Sequence, residues 1–305
     1  MSKMSAPRHD PIPIGNISEP PFVRLPDPST LFQVRAQRFD ELSGQHDLAP
    51  FLKFLSGISS CQHQLQDGLP DADLPSDDAR ERAREHGMPP LDRSRFTLDA
   101  AFDATLGRLL HLASAIDMPD DARSALTRVA QAGPEVPTVM ARAVLEHAVP
   151  VERFADHVFV AAALQVHYAR LASRLDPKRL VPVGDGACPS CGGAPTASLV
   201  VGWPGAENAR FCACSVCSTL WNYVRIKCTV CGSTKGISYR EIEGGGGTVW
   251  AETCDSCHSY VKILHQHKNP GLDPVADDVA SLGLDLLVRE DDYRRGSINP
   301  FLLGY

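Results

Sequence analysis

The chain has 305 residues, 43% of them hydrophobic and 22% charged, with a formal net charge of −7. That length suits about two domains of ordinary globular composition, and the acidic balance argues against a general nucleic-acid role, which needs a basic face. No run approaches the roughly 18 apolar residues that a bilayer span requires.

Residues 1–18, rich in Pro, Ser and polar side chains, are expected to be a disordered tail. The first 28 residues carry seven prolines and no apolar core, so they do not read as a secretory signal, and a cytoplasmic location is expected. A helical domain is expected over 19–180. Ser29 is the expected N-cap of a first helix, with Leu31, Phe32, Val34, Ala36 and Phe39 at helical spacing. Phe51, Leu52, Phe54, Leu55 and Ile58 mark a second. A break at Asp67–Asp78 holds five acids and no bases and reads as solvated surface. Helical patterns follow over about 76–87, 97–116, 119–132, 135–148 and 150–175, the last stopped by Asp176-Pro177.

From about Pro182 the texture changes to glycines, cysteines and short alternating runs. Leu199–Val201, Leu220–Ile226 and Tyr260–Leu264 read as strands, and Gly244–Gly247 as a loop tip. Four CxxC pairs lie here, duplicated at an offset of 40 residues: Cys188 and Cys191 return as Cys228 and Cys231, and Cys214 and Cys217 as Cys254 and Cys257. In each copy 22 residues separate the two pairs. In a reducing compartment such pairs hold metal or do redox chemistry rather than form structural disulfides. Two CxxC knuckles facing each other supply four thiolates in a tetrahedron. A unit of about 40 residues buries too little surface to fold unaided, and metal–thiolate bonds can make up the difference.

The expected assignment is therefore Cys188, Cys191, Cys214 and Cys217 around one ion, and Cys228, Cys231, Cys254 and Cys257 around a second. Zinc and iron both accept four sulfurs, and neither site keeps an open position for Lewis-acid chemistry. The predicted fold class is α+β: an N-terminal all-helical domain, then two tandem rubredoxin- or zinc-ribbon-like β modules at 181–226 and 227–270, then a C-terminal acidic segment, 271–305, packing back on them.

Smaller features are assigned bland roles. Cys254–His258 matches the CxxCH haem-attachment pattern, but the repeat already accounts for its cysteines. Cys212 is expected to be a small semi-buried side chain, Cys61 a core residue, His265 and His267 a solvated strand end, and the acids of Asp273–Asp292 surface. No GxSxG, Walker, GxGxxG or HExxH signature is present, so no enzyme is expected.

Three features together resemble the FdhE proteins, accessory proteins of bacterial formate dehydrogenase. They are the four CxxC pairs after a helical half, the opening Pro26–Phe32 with Arg35-Ala36, and the closing Ser297–Phe301. The resemblance runs from about Pro20 to Leu303. It implies a role in maturing respiratory formate dehydrogenase, by binding its catalytic subunit or that subunit's twin-arginine signal peptide in the cytoplasm before export. It also associates rubredoxin-like iron centres with the eight knuckle cysteines. Ser218 and His258 stand where a rubredoxin knuckle carries glycine. The alternatives are a rubredoxin-like electron-transfer protein and a zinc-ribbon nucleic-acid binder, the latter opposed by the net charge.

Overall fold

The computed structural model describes residues 19–302 apart from Gln45 and Pro134; the expected disordered tail, 1–18, lies outside the described residues. The chain enters through a two-residue strand, β1 (Val23–Arg24), and then builds seven α-helices: α1 (Pro28–Ser43), α2 (Ala49–Gln64), α3 (Asp77–Glu85), α4 (Ala100–Ala113), α5 (Asp120–Ala130), α6 (Glu135–Leu145) and α7 (Phe154–Ser173). The cap of α1 is Asp27, not Ser29. The Asp27 carboxylate accepts from the Ser29 N–H at 3.0 Å and from its hydroxyl at 2.6 Å. Pro28, which has no N–H to satisfy, takes the first turn.

Helix α7 is buried almost all the way round, as suits the central helix of a bundle rather than an amphipathic cover. Its alanines, Ala161 to Ala163, Ala169 and Ala172, let α1, α2, α4, α5 and α6 pack against it. Phe159 meets Phe54 edge-on at 6.1 Å. Each such buried ring contributes about 1.5–3 kcal/mol.

The remainder forms one sheet from β2 (Pro195–Val200), β3 (Arg210–Cys214), β4 (Leu220–Asn222), β5 (Ile237–Arg240), β6 (Val249–Cys254) and β7 (Ser259–Leu264). Two helices, α8 (Ala276–Ala280) and α9 (Leu282–Glu290), and strand β8 (Arg294–Arg295) close the chain. The order is β1-β4-β3-β2-β7-β6-β5, with β8 also on β7. Each cysteine copy contributes an antiparallel three-stranded meander. The two meanders join through the parallel pairing of β2 with β7, Ser198 opposite Ile263 and Leu199 opposite Leu264. Strand β1 adds to the outer edge of the first meander, Val23 opposite Trp221.

The strand expected over Leu220–Ile226 ends at Asn222. Val224 and Ile226 are exposed because the next stretch turns around a buried side chain. The Arg210 guanidinium donates to the carbonyls of Val224, Arg225 and Lys227 and pairs with Glu252 of the other meander at 2.9 Å, both side chains buried.

Of the acids in Asp273–Asp292, Glu290, Asp291 and Asp292 are exposed as expected, but the other four are not. Asp273 and Asp277 are buried against Arg35 and Arg38 of α1, and Asp278 and Asp285 against Lys262 of β7 and Arg295 of β8. The five acids of Asp67–Asp78 are exposed, in keeping with the sequence. Among the described residues no helix is long and apolar enough to cross a membrane.

Candidate metal centres

All four CxxC pairs close the same turn. The Cys188 N–H donates to the Gly193 carbonyl at 2.9 Å and the Gly192 N–H to the Cys188 carbonyl at 2.8 Å; in the second copy Cys228 donates to Ser233 at 2.8 Å and Gly232 to Cys228 at 3.0 Å. The residue after each pair is left-handed: Gly192 at φ 75°, Gly232 at 73°, Ser218 at 58° and His258 at 50°. Ser218 and His258 thus keep the backbone shape that glycine gives a rubredoxin knuckle, although a side chain disfavours that region.

Facing knuckles bring their sulfurs together. In the first group Cys188 Sγ lies 3.5 Å from Cys217 Sγ, and Cys191 Sγ 3.4 Å from Cys214 Sγ. In the second, Cys228 and Cys257 are 3.8 Å apart and Cys231 and Cys254 3.7 Å. In both groups all four sulfurs lie within 4.8 Å of one another, as a metal ion requires. Four metal–sulfur bonds of about 2.3 Å in a tetrahedron set the sulfurs about 3.8 Å apart, so both groups fit such an ion. Burial pushes the Cys188 thiol well above its usual value, and the Cys228 thiol up to about 12. Four thiolates gathered within one group place like charges side by side, which a divalent ion compensates.

The first group belongs to the core of the helical region: its four cysteines are part of the same continuous apolar cluster as Phe32, Phe39, Phe159 and Tyr168. An arm between α3 and α4 reaches across to it, the Leu91 N–H donating to the Ser190 carbonyl at 2.9 Å and the Arg93 N–H to Cys191 at 3.2 Å. Gln165 of α7 donates to the Ser215 carbonyl at 3.0 Å. Gly193 packs closely on the sulfurs, since a Cβ there would stand 3.1 Å from Cys214 Sγ and 3.3 Å from Cys191 Sγ. None of these supporting residues was legible in the sequence; the one local signal was the Gly192-Gly193 doublet, whose counterpart is Gly232-Ser233. The second group is shallower, with Cys228 and Cys254 buried, Cys257 half-buried and Cys231 exposed.

The remaining candidates fall outside both groups. Cys61 is core. Cys212 is fully buried, 3.7 Å from the Ser198 hydroxyl, with its thiol pushed up by burial. His258 carries the knuckle turn, its ring 6.2 Å from that of Tyr293. His265, expected to be solvated, is only 4% exposed and stacks edge-on against Trp250 at 4.2 Å. Neither its ring nitrogens nor Trp250 Nε1 has a hydrogen-bond partner, and burial, helped by Lys268, lowers its pKa to about 4. A cleft of about 500 Å³ lies where the arm meets the bundle, lined in part by His86, Pro89, Asp92, Phe96, His167 and Tyr168.

Comparison with known proteins places this arrangement. Three family models match in succession: FdhE, N-terminal, over residues 20–185; FdhE, central domain, over 187–225; and FdhE, C-terminal domain, over 226–302. A curated relative from Rhizobium meliloti, Protein FdhE homolog, is 48% identical over 298 residues, covering 97% of both chains. A second of the same name, from Proteus mirabilis, is 33% identical over 290 residues, covering 94% of this chain and 93% of its own. The crystal structure of the FdhE protein from Pseudomonas aeruginosa superimposes with a TM-score of 0.83 at 30% identity, covering 93% of this chain and 99% of that one. With its helical, central and C-terminal regions each matched and a relative similar from end to end, the chain belongs to the FdhE family.

Proposed function

We propose that this protein is a non-enzymatic accessory factor for the maturation of respiratory formate dehydrogenase, binding its catalytic subunit or that subunit's twin-arginine signal peptide in the cytoplasm before export. The observation that carries the reading is family membership across nearly the whole chain. The eight knuckle cysteines are the metal ligands of the proposal, Cys188, Cys191, Cys214 and Cys217 for one ion and Cys228, Cys231, Cys254 and Cys257 for the other, with iron or zinc as the ion. Zinc there would serve as a structural clamp, and iron would add a one-electron couple. Four sulfurs complete a tetrahedron, so the sites favour scaffolding over Lewis-acid turnover. The working units are the helical domain 19–180, the modules 181–226 and 227–270, and the segment 271–305.

The test is retention of the catalytic subunit on the immobilised full chain, with and without its signal peptide. Retention of either form is the expected result, and retention of only the form that bears the peptide would assign recognition to the signal. Failure to retain either form overturns the proposal. A second reading, rubredoxin-like electron transfer, draws on the exposed Cys231. Protein isolated without air would then be red and bleach on reduction, whereas a colourless zinc protein that still retains the subunit dismisses it.

A further inference from the structure

The two clusters offer the same donors in the same turns, yet the protein around them differs. The first is sealed on every side that its knuckles leave open. The arm at Leu91 and Arg93 hydrogen-bonds to its leading knuckle, and Gln165 to its trailing one. Arg35 of α1, itself fully buried, lies 3.5 Å from the Ser218 hydroxyl. Thr219 Oγ1 sits 3.1 Å from Cys217 Sγ and 3.0 Å from the Ser190 hydroxyl. None of the four sulfurs belongs to a residue more than 2% exposed. An incoming ligand therefore reaches them only after α1, α7 and the arm separate from the sheet, which opens the main core.

The second cluster is covered less completely. The backbone of β8 clamps its trailing knuckle, the Arg294 N–H donating to the His258 carbonyl at 2.8 Å. From the first copy, the Tyr223 hydroxyl donates to the Cys228 carbonyl at 3.1 Å, but the rest of its surroundings are open: the Ser233 and Ser256 hydroxyls meet at 2.9 Å in exposed positions, and Val230, inside the leading knuckle, is 43% exposed. Cys231 is open to solvent and Cys257 partly so. Where the first copy has Gly193 pressed on the sulfurs, the second has Ser233, and its facing sulfurs stand 3.7–3.8 Å apart rather than 3.4–3.5 Å.

Resting on the reading of both clusters as metal sites, we infer that the second is an exchange site, which takes up and releases a borderline-soft divalent cation through Cys231 and Cys257, while the first is locked. An exchange would replace the Cys231 sulfur with a donor of the incoming ligand, the proton which that donor gives up passing to the departing thiolate. Cys257 follows, while Cys228 and Cys254 hold from the buried side. The ligand class that drives release is a small thiolate or chelator able to approach an exposed sulfur. The same surface gives the ion a way in without opening the core.

The experiment loads the full chain with two equivalents of Zn²⁺ and follows release to excess chelator with a colorimetric zinc indicator. The expected trace has two phases of equal amplitude, the first at least ~10-fold faster, in line with the effect of supporting contacts on metal sites. In parallel, the unaltered chain is treated with a thiol-alkylating reagent as release proceeds, and labelled positions are mapped by mass spectrometry. Cys231 and Cys257 should be labelled during the fast phase, and Cys188, Cys191, Cys214 and Cys217 only during the slow one. The Cys231→Ser variant should lose the fast phase and keep the slow one. Release in one phase, or labelling of the first cluster before the second, overturns the inference while leaving both metal sites standing. A chain that takes up no metal overturns the metal-site reading beneath it.

Discussion

His265 shows how a residue can change meaning between sequence and structure. Two histidines at i and i+2 past an alternating run look like a wet strand end, and nothing in their spacing says that Trp250 will cover one of them. The pairing of β6 with β7 sets Trp250 diagonally across from His265, and the ring is buried with both nitrogens unpartnered. Burying a polar ring without a partner costs stability, and an apolar ring of similar shape removes that cost. His265→Phe is therefore expected to be neutral or stabilising by about 1 kcal/mol at pH 7. The pH dependence sharpens the test. The folded pKa is lowered to about 4, so between about pH 6.5 and 4 the unfolded chain binds a proton that the folded chain refuses. Stability from this group is complete above that window and is lost as the pH falls through it. From pH 7 to pH 5 the unaltered chain should lose about 1–2 kcal/mol more than His265→Phe in urea unfolding; equal losses would remove His265 from the account. The eight knuckle cysteines were legible because spacing alone defines them. The left-handed turn at Ser218 and His258 was not, since the sequence shows only that glycine is missing there.

At the scale of elements, the C-terminal segment departs most from its sequence signature. Asp273, Asp277, Asp278 and Asp285 fall in a run of acids that composition assigns to solvent, and their partners are dispersed over the chain: Arg35 and Arg38 in α1, Lys262 in β7, Arg295 in β8. Pairings across 238 residues leave no local pattern, whereas α1, α2, α4, α5 and α6 each write an apolar stripe within one segment; α7 is buried nearly all round and α3 buries no side chain. The network welds α8 and α9 to the sheet: Lys262 Nζ is 2.5 Å from Asp285, Tyr260 donates to Asp285 at 2.7 Å, and Asn299 to Asp278 at 2.8 Å. Burial would raise the Asp278 carboxyl, but Arg295 and Lys262 outweigh it and hold the group below the usual range. That stability is present above the unfolded carboxylate pKa, near 4, and is lost only as the pH falls through the lower folded value. Removing one partner from a buried set leaves charge uncompensated, at a cost of about 3–5 kcal/mol. Asp278→Ala should lose that much in urea unfolding at pH 7, since Lys262 and Arg295 would then share Asp285 alone. A loss under about 1 kcal/mol, the size of a surface pair, would mean the network is not buried in solution.

At the scale of the whole molecule, the duplicated cysteine pattern suggests two equivalent modules, and the sheet makes them unequal. The first meander is flanked by β1, from the chain's entry, on one edge and by β7, from the second copy, on the other. Its four sulfurs are also part of the bundle's own core. The second meander packs mainly on the C-terminal helices, through Tyr260, Leu284 and Val288. A lost ligand should therefore spread differently from the two sites, because cooperativity follows shared buried surface. Cys188→Ser removes a ligand wholly inside the core, and unfolding of the helices should shift with unfolding of the sheet. Its loss of about 3 kcal/mol or more would appear equally in far-ultraviolet circular dichroism and in tryptophan fluorescence. In Cys231→Ser the missing ligand lies at the surface, so the helical signal should keep its midpoint while amide exchange accelerates in β5 and β6. If instead the Cys188→Ser variant melts its sheet while the helices keep their original transition, the first cluster is an appendage to the bundle, and the continuous core from α7 to the sulfurs does not carry the cooperativity argued for it.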